Sequence, residues 1–316
     1  MSLTPQQIQA ICRLTDKVTG IQWDSSKDYL IESRIVARLA EFGCTSLDAL
    51  IAKIDAGDVV AKNAFIDAVT TRETLFFRDE SPYIALEHKA LPEIIDAKTS
   101  SYFPKRLRLW SAAASTGQEA YSLAICLLEM LPDIWNWDVQ ILATDISDAA
   151  LATASRGIYS DFETGRGMRP DLLNKYFQKV SNGWQVKDEV RSLVTFQKRN
   201  LLQPFDGLGP FDVLFCRYVA IYFDLPVRRE LFERLSRTMT ADGCLFVGAS
   251  ENLSDFGAKW APQFHCRAVY YQPNKARTTF SLQPQSPAAV LAPAGPKLSA
   301  VPAPVSKMAR ILAPMK

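Results

Sequence analysis

Apolar residues along this chain change period sharply at one place. Residues 107–110, Leu-Arg-Leu-Trp, read as a short buried strand, and from Gln118 the spacing turns helical at Tyr121, Leu123, Ile125 and Leu128. Between them, residues 111–117 form a turn of almost wholly small side chains. Such a strand, turn and helix lets a ligand approach the backbone, with the free N–H groups of the first helical turn facing it. Two details disfavour a dinucleotide pyrophosphate. The turn has one glycine, Gly117, where that fingerprint needs three, and Glu119 in the first helical turn repels phosphate but welcomes an ammonium or sulfonium. The stretch suits a cationic, amino-acid-bearing nucleoside such as S-adenosylmethionine about as well as it suits a plain α/β turn.

Upstream, the pattern is helical throughout. Thr4-Pro5-Gln6-Gln7 starts a helix to about residue 18, a second covers 27–42 and stops at Gly43, and 46–56 and 58–69 read as two more. Arg34 and Arg38 are four apart and can share a helix face, which by spacing alone is more often solvated than a basic docking surface. Residues 70–80 have no clean period and suit a loop that covers a pocket, and Ser81-Pro82 opens a helix to about residue 97.

Downstream, strands and helices alternate. Residues 139–144 are a buried parallel strand ended by Asp145, a position from which a carboxylate can accept both hydroxyls of a ribose. A helix over 146–156 ends at Gly157. The rhythm breaks over 158–194, where Asn182-Gly183 between two short apolar segments predicts a hairpin in a small antiparallel insert. It resumes with strands at 193–197 and 211–216, a helix over 226–239, a strand at 243–249 and an antiparallel edge strand at 264–271. The fold class is therefore α/β, a doubly wound, mostly parallel sheet.

Composition narrows the setting. With 48% hydrophobic and 22% charged residues over 316 positions, the chain can bury a sizeable core. A formal charge of +2 gives no general case for nucleic-acid binding. The six cysteines are scattered without a C-x-x-C and read as reduced thiols, and two histidines supply a zinc site or a histidine-based triad poorly. No apolar run is long enough to span a bilayer and no signal peptide is evident, so a cytoplasmic setting is expected. Residues 273–316 are rich in proline, alanine and serine, carry six basic and no acidic residues, and read as a disordered tail.

Taken together these segments resemble the chemotaxis receptor methyltransferases, the CheR family, over residues 3–272. The matching residues are Thr70-Thr71, Glu73-Thr74 and Phe76-Phe77-Arg78; the turn and helix start at 111–121; Ala143-Thr144-Asp145-Ile146; Asn200-Leu201; Phe215-Cys216-Arg217 with Ile221-Tyr222-Phe223; and Ser250-Glu251-Asn252. The resemblance implies a helical N-terminal domain over 1–70 and a class I S-adenosylmethionine-dependent methyltransferase domain over 71–272, with the insert at about 158–194. It further implies methyl esterification of glutamate side chains on chemoreceptor signalling domains, with S-adenosylhomocysteine as product.

By position, Glu119 would hold the methionine amino group, Asp145 the ribose, and Asn200 and Leu201 would surround the adenine. Thr74, Arg78, Ala113, Arg217 and Tyr218 would complete the cofactor site, and Arg78 and Tyr222 would orient the acceptor carboxylate. Arg34 and Arg38 gain weight as receptor-docking residues, and the short hairpin implies independence from a receptor's C-terminal pentapeptide. The chain departs from the family pattern at Arg72 and Tyr218, where asparagines are usual, and at Gln118 and Ala120. The first two motivate a second reading, a weakly catalytic relative that acts as a cofactor-binding scaffold.

Overall fold

The computed structural model describes residues 3–100, 105–257 and 259–274. Most of the expected tail lies outside them. Helix α1 (Pro5–Thr19) opens with the capping box foreseen at Thr4 and Gln7 and closes on Gly20. Helix α2 (Asp28–Arg34) is shorter than expected and gives way to a 3-10 turn over Val36–Arg38. The β-branched pair Ile35-Val36 loses rotamer freedom in a helix, which weakens it at that point. Arg34 and Arg38 therefore do not share one helical face. Helices α3 (Leu47–Asp55) and α4 (Val59–Val69) start at the caps Ser46 and Asp58, and the four helices bury Ile11, Ile31, Leu50 and Phe65 in a core of their own.

After the loop at residues 70–80, helices α5 (Ser81–Ala85) and α6 (Leu91–Thr99) run on from each other through a wide turn at Leu86–Ala90. Strand β1 (Arg106–Ala112) leads into α7 (Gln118–Met130), and β2 (Asp138–Asp145) into α8 (Asp148–Arg156). The insert follows with β3 (Ile158–Tyr159), α9 (Asp161–Thr164), α10 (Pro170–Tyr176), β4 (Phe177–Val180), β5 (Gly183–Val186) and α11 (Asp188–Arg191). Its three strands pair antiparallel in the order β3-β5-β4. Val180 pairs with Gly183, so the hairpin loop is Ser181-Asn182, one residue earlier than the Asn-Gly signal suggested.

The main sheet is completed by β6 (Val194–Lys198), β7 (Phe211–Cys216), α12 (Leu225–Arg237) and β8 (Met239–Val247), then β9 (Trp260–His265) and β10 (Ala268–Pro273). Its order is β6-β2-β1-β7-β8-β10-β9, parallel as far as β8. The single edge strand expected at 264–271 is two strands. Cys266 and Arg267 both take positive φ, at 45° and 66°, and fold the segment into a hairpin without the Asn-Gly signature that marks such turns. Strand β1 lies between β2 and β7, so the chain order reverses there. A doubly wound sheet opens a crevice at that point, beyond the C-terminal ends of the strands.

Candidate active site

That crevice holds a cavity enclosing about 890 Å³ of space, mouth included. One wall is the turn between β1 and α7. Ala113, Ser115 and Gly117 all sit at positive φ, at 69°, 50° and 97°. Such strain in residues other than glycine concentrates where a ligand is held. At Gly117 a side chain is also excluded by space, since a Cβ would lie 2.8 Å from that of Ala154. The turn is pinned to β2. The Ala114 N–H donates to the Thr144 carbonyl at 2.8 Å and that of Ser115 to Asp145 Oδ2 at 2.8 Å, while the Ser147 N–H donates to Asp145 Oδ1 at 2.9 Å. Burial pushes the Asp145 carboxyl above the ordinary range, and these N–H donors pull the other way.

Glu119, in the first turn of α7, is only 9% exposed. Ser111 Oγ donates to its Oε1 at 2.7 Å and an Arg217 guanidinium nitrogen lies 3.3 Å from Oε2. Burial again pushes its pKa up, opposed by the nearby arginine. A largely buried carboxylate that lines the cavity and has one long ion pair retains the capacity to receive a further cation.

The facing wall comes from the loop at residues 70–80 and the segment after β7. Phe76 anchors the loop, its ring 5.0 Å from that of Tyr159 and 5.5 Å from that of Phe177. Arg217, its side chain 1% exposed, donates to Asp79 Oδ2 at 2.6 Å and to the Arg78 carbonyl at 2.8 Å as well as meeting Glu119. The Tyr218 hydroxyl donates to the same Asp79 oxygen, and the Arg78 guanidinium lies 3.8 Å from the centroid of the Tyr218 ring. At the rim, Glu73 pairs with Arg166 of the insert at 2.5 Å, which holds its carboxyl below the ordinary range.

Family models place this arrangement. One described as "CheR methyltransferase, SAM binding domain" matches residues 72–268, and one described as "CheR methyltransferase, all-alpha domain" matches residues 6–70. The chain belongs to the CheR methyltransferase family. A "Chemotaxis protein methyltransferase 1" of Pseudomonas aeruginosa is 40% identical over 244 residues, 76% of this chain and 88% of that one. A protein of the same name from Vibrio cholerae is 35% identical over 269 residues, 82% and 94% of the two chains. "Chemotaxis protein methyltransferase Cher2" of Pseudomonas putida is 38% identical over 247 residues, 76% and 87%.

The cofactor of this CheR methyltransferase is S-adenosylmethionine, and the side chains present fit it. Two carboxylates, the buried Glu119 and the half-buried Asp145, suit an ammonium group and a pair of hydroxyls, and the strained small-residue turn leaves room beside them. Thr74, Arg78, Ala113, Glu119, Asp145, Asn200, Leu201, Arg217, Tyr218 and Tyr222, all singled out in the sequence, line this one cavity. Asn200 is committed elsewhere. Its amide donates to the Val18 carbonyl at 2.9 Å and its Oδ1 accepts the Leu202 N–H at 2.9 Å, so it ties the pocket wall to the end of α1.

Arg34 and Arg38 stand apart from the cavity lining. Arg34 donates to the Val69 carbonyl at 3.1 Å and to Thr71 Oγ1 at 3.3 Å, and Thr71 is a rim residue; Arg38 pairs with Glu41 at 2.8 Å. Arg72 turns away from the cavity to the Asp67 carbonyl, 3.1 Å, and carboxylate, 3.8 Å. The charge that motivated a weakened cofactor site is thus paired with Asp67 and is not part of the cavity lining, although it still acts on the nearby Asp145 carboxyl. Asp79 went unrecognised in the sequence, and Glu251, quoted within a motif, had no role. Its Oε2 accepts the Tyr218 N–H at 2.8 Å and the Gly248 N–H at 2.7 Å. No local pattern marks either residue, because their shared partner Tyr218 lies far away in the chain.

Proposed function

We propose that this methyltransferase esterifies glutamate side chains on the signalling domains of chemoreceptors, in the cytoplasm, as part of sensory adaptation. One observation carries the choice of a carboxylate acceptor. Among the described residues the cavity lining includes no histidine, lysine or cysteine, Glu73 is held acidic by Arg166, and the two carboxyls that burial raises are already engaged, Glu119 by Ser111 and Arg217 and Asp145 by the Ser115 and Ser147 N–H groups. An amine or hydroxyl acceptor would need such a base, whereas a glutamate is already ionised. The names of the relatives, chemotaxis protein methyltransferases, support the receptor as its carrier.

In this reading Glu119 holds the methionine ammonium group, Asp145 the ribose hydroxyls, and Leu201 with the Asn200 backbone the adenine, with Thr74, Ala113, Arg217 and Tyr218 closing the site. Bound there, S-adenosylmethionine supplies an electrophilic methyl group on a sulfonium. Arg78 and Tyr222 orient the acceptor carboxylate by charge-assisted hydrogen bonds, and the loop at 70–80 excludes water around it. Arg34, one hydrogen bond from the rim, and Arg38 present positive charge to an acidic receptor helix. The two-residue Ser181-Asn182 loop leaves little to clamp a C-terminal peptide, so docking is independent of one.

The test is incorporation of base-labile methyl groups from labelled S-adenosylmethionine into a panel of purified receptor signalling domains, with and without their C-terminal peptides. Transfer to glutamate positions at equal kcat/KM in both forms is expected. Base-stable incorporation would overturn the ester, and loss of transfer on removing the peptide would overturn peptide independence.

A further inference from the structure

We propose that Tyr218 is a positioning residue for the methyl acceptor, its ring being the platform that sets the Arg78 guanidinium at the pocket. The proposal rests on the acceptor reading above. The Arg78 side chain makes one hydrogen bond among the described residues, from a terminal nitrogen to the Glu73 carbonyl at 3.0 Å. A single bond to a loop carbonyl leaves a long side chain free to swing. The stack at 3.8 Å supplies the missing constraint. It covers a face of the guanidinium and leaves its in-plane N–H groups, the ones that pair with a carboxylate, directed sideways.

The platform is itself built in. Tyr218 has φ 57°, a strained value for an aromatic residue. Glu251 holds that conformation by accepting the Tyr218 N–H, and the phenol hydroxyl is anchored by donating to Asp79. The ring also lies against the end of β8, where a Cβ at Gly248 would meet its Cδ1 and Cε1 at 3.0 Å each. Strain maintained by two separate segments, the loop carrying Asp79 and the stretch from Gly248 to Glu251, is the mark of a functional constraint. With its hydroxyl engaged by Asp79, the side chain acts on the reaction chiefly through Arg78.

The experiment compares wild type, Y218F, Y218L and R78A, and the double variant R78A/Y218L, by receptor-domain KM and kcat and by calorimetric S-adenosylmethionine Kd. Y218L should raise the receptor KM about tenfold, as expected for loss of a partly desolvated cation–π contact, and weaken the cofactor Kd by a clearly smaller factor, since Tyr218 also lines the cofactor cavity. Y218F keeps the ring and should cost clearly less than Y218L. In the R78A background, Y218L should add nothing further to the receptor KM. Equal losses in receptor KM and cofactor Kd, or additivity of the two substitutions, would overturn the proposal. Should wild type transfer no methyl group to any receptor domain, the acceptor reading fails separately. The platform is still tested then, because less-than-additive Tm losses for R78A and Y218L uphold the stack and additive ones overturn it.

Discussion

The two walls of the cavity are built in opposite ways. On one wall, Ser111, Ser115 and Glu119 come from one strand, turn and helix, and Asp145 ends the neighbouring strand. On the facing wall, Arg78 and Asp79 meet Arg217 and Tyr218 from about 140 residues further along, and Glu251 from a third segment holds Tyr218 in place. The first wall is a local motif whose geometry follows from its small residues. The second exists only when three distant segments close on each other. Arg217 is the joint between them, since it contacts both Glu119 and Asp79.

Breaking that joint should have the largest effect. Arg217→Met leaves Glu119 buried without its counter-ion and Asp79 with the Tyr218 hydroxyl in place of an ion pair, so the protein should lose about 3 to 5 kcal/mol of stability by urea denaturation. A loss below about 1 kcal/mol would mean that the walls are held independently. Next come the carboxylates of the local wall. Asp145→Asn and Glu119→Gln should each weaken S-adenosylmethionine binding about 10- to 100-fold by calorimetry, with far-UV circular dichroism unchanged. Unaltered affinity in either would remove that residue from the cofactor site.

pH should separate the walls further. Burial raises the pKa of both Glu119 and Asp145, so between the ordinary carboxylate range and the raised values the folded apoprotein holds protons more tightly than the unfolded chain. Apoprotein stability from these groups therefore falls as pH rises through that window. Cofactor affinity runs the other way, because an ammonium group favours ionised Glu119. S-adenosylmethionine binding should weaken as pH falls through the raised Glu119 range, above the ordinary carboxylate range, and Glu119→Gln should flatten part of that slope. A Kd independent of pH would contradict the assignment of Glu119. The smallest effect belongs to Arg72→Asn. With its guanidinium paired to Asp67 outside the cavity, the substitution should shift cofactor Kd by less than about twofold, and a tenfold gain would restore the case for a weakened site.

The α/β class, the helical N-terminal unit and the small-residue turn could be read from periodicity and caps alone, because each depends on neighbours within a few residues. Thr4 with Gln7, and Gly117 after a strand, carry their own geometry wherever they are placed. The misread elements lacked such a signal. The break after Arg34 has neither proline nor glycine, and the turn at Cys266-Arg267 lacks asparagine or glycine, so cross-strand pairing of Ala268 with His265 holds an unfavourable backbone that propensity disfavours.

The sequence by itself determined which side chains could serve a cationic nucleoside, since charge and position on a strand end or first helical turn are local properties. Only the tertiary structure decided their working state. Folding spent the Asn200 amide on Val18 and laid Arg78 on Tyr218. Each outcome depends on which remote group arrives within hydrogen-bonding or stacking distance. Chain packing sets that, and no spacing along the sequence encodes it.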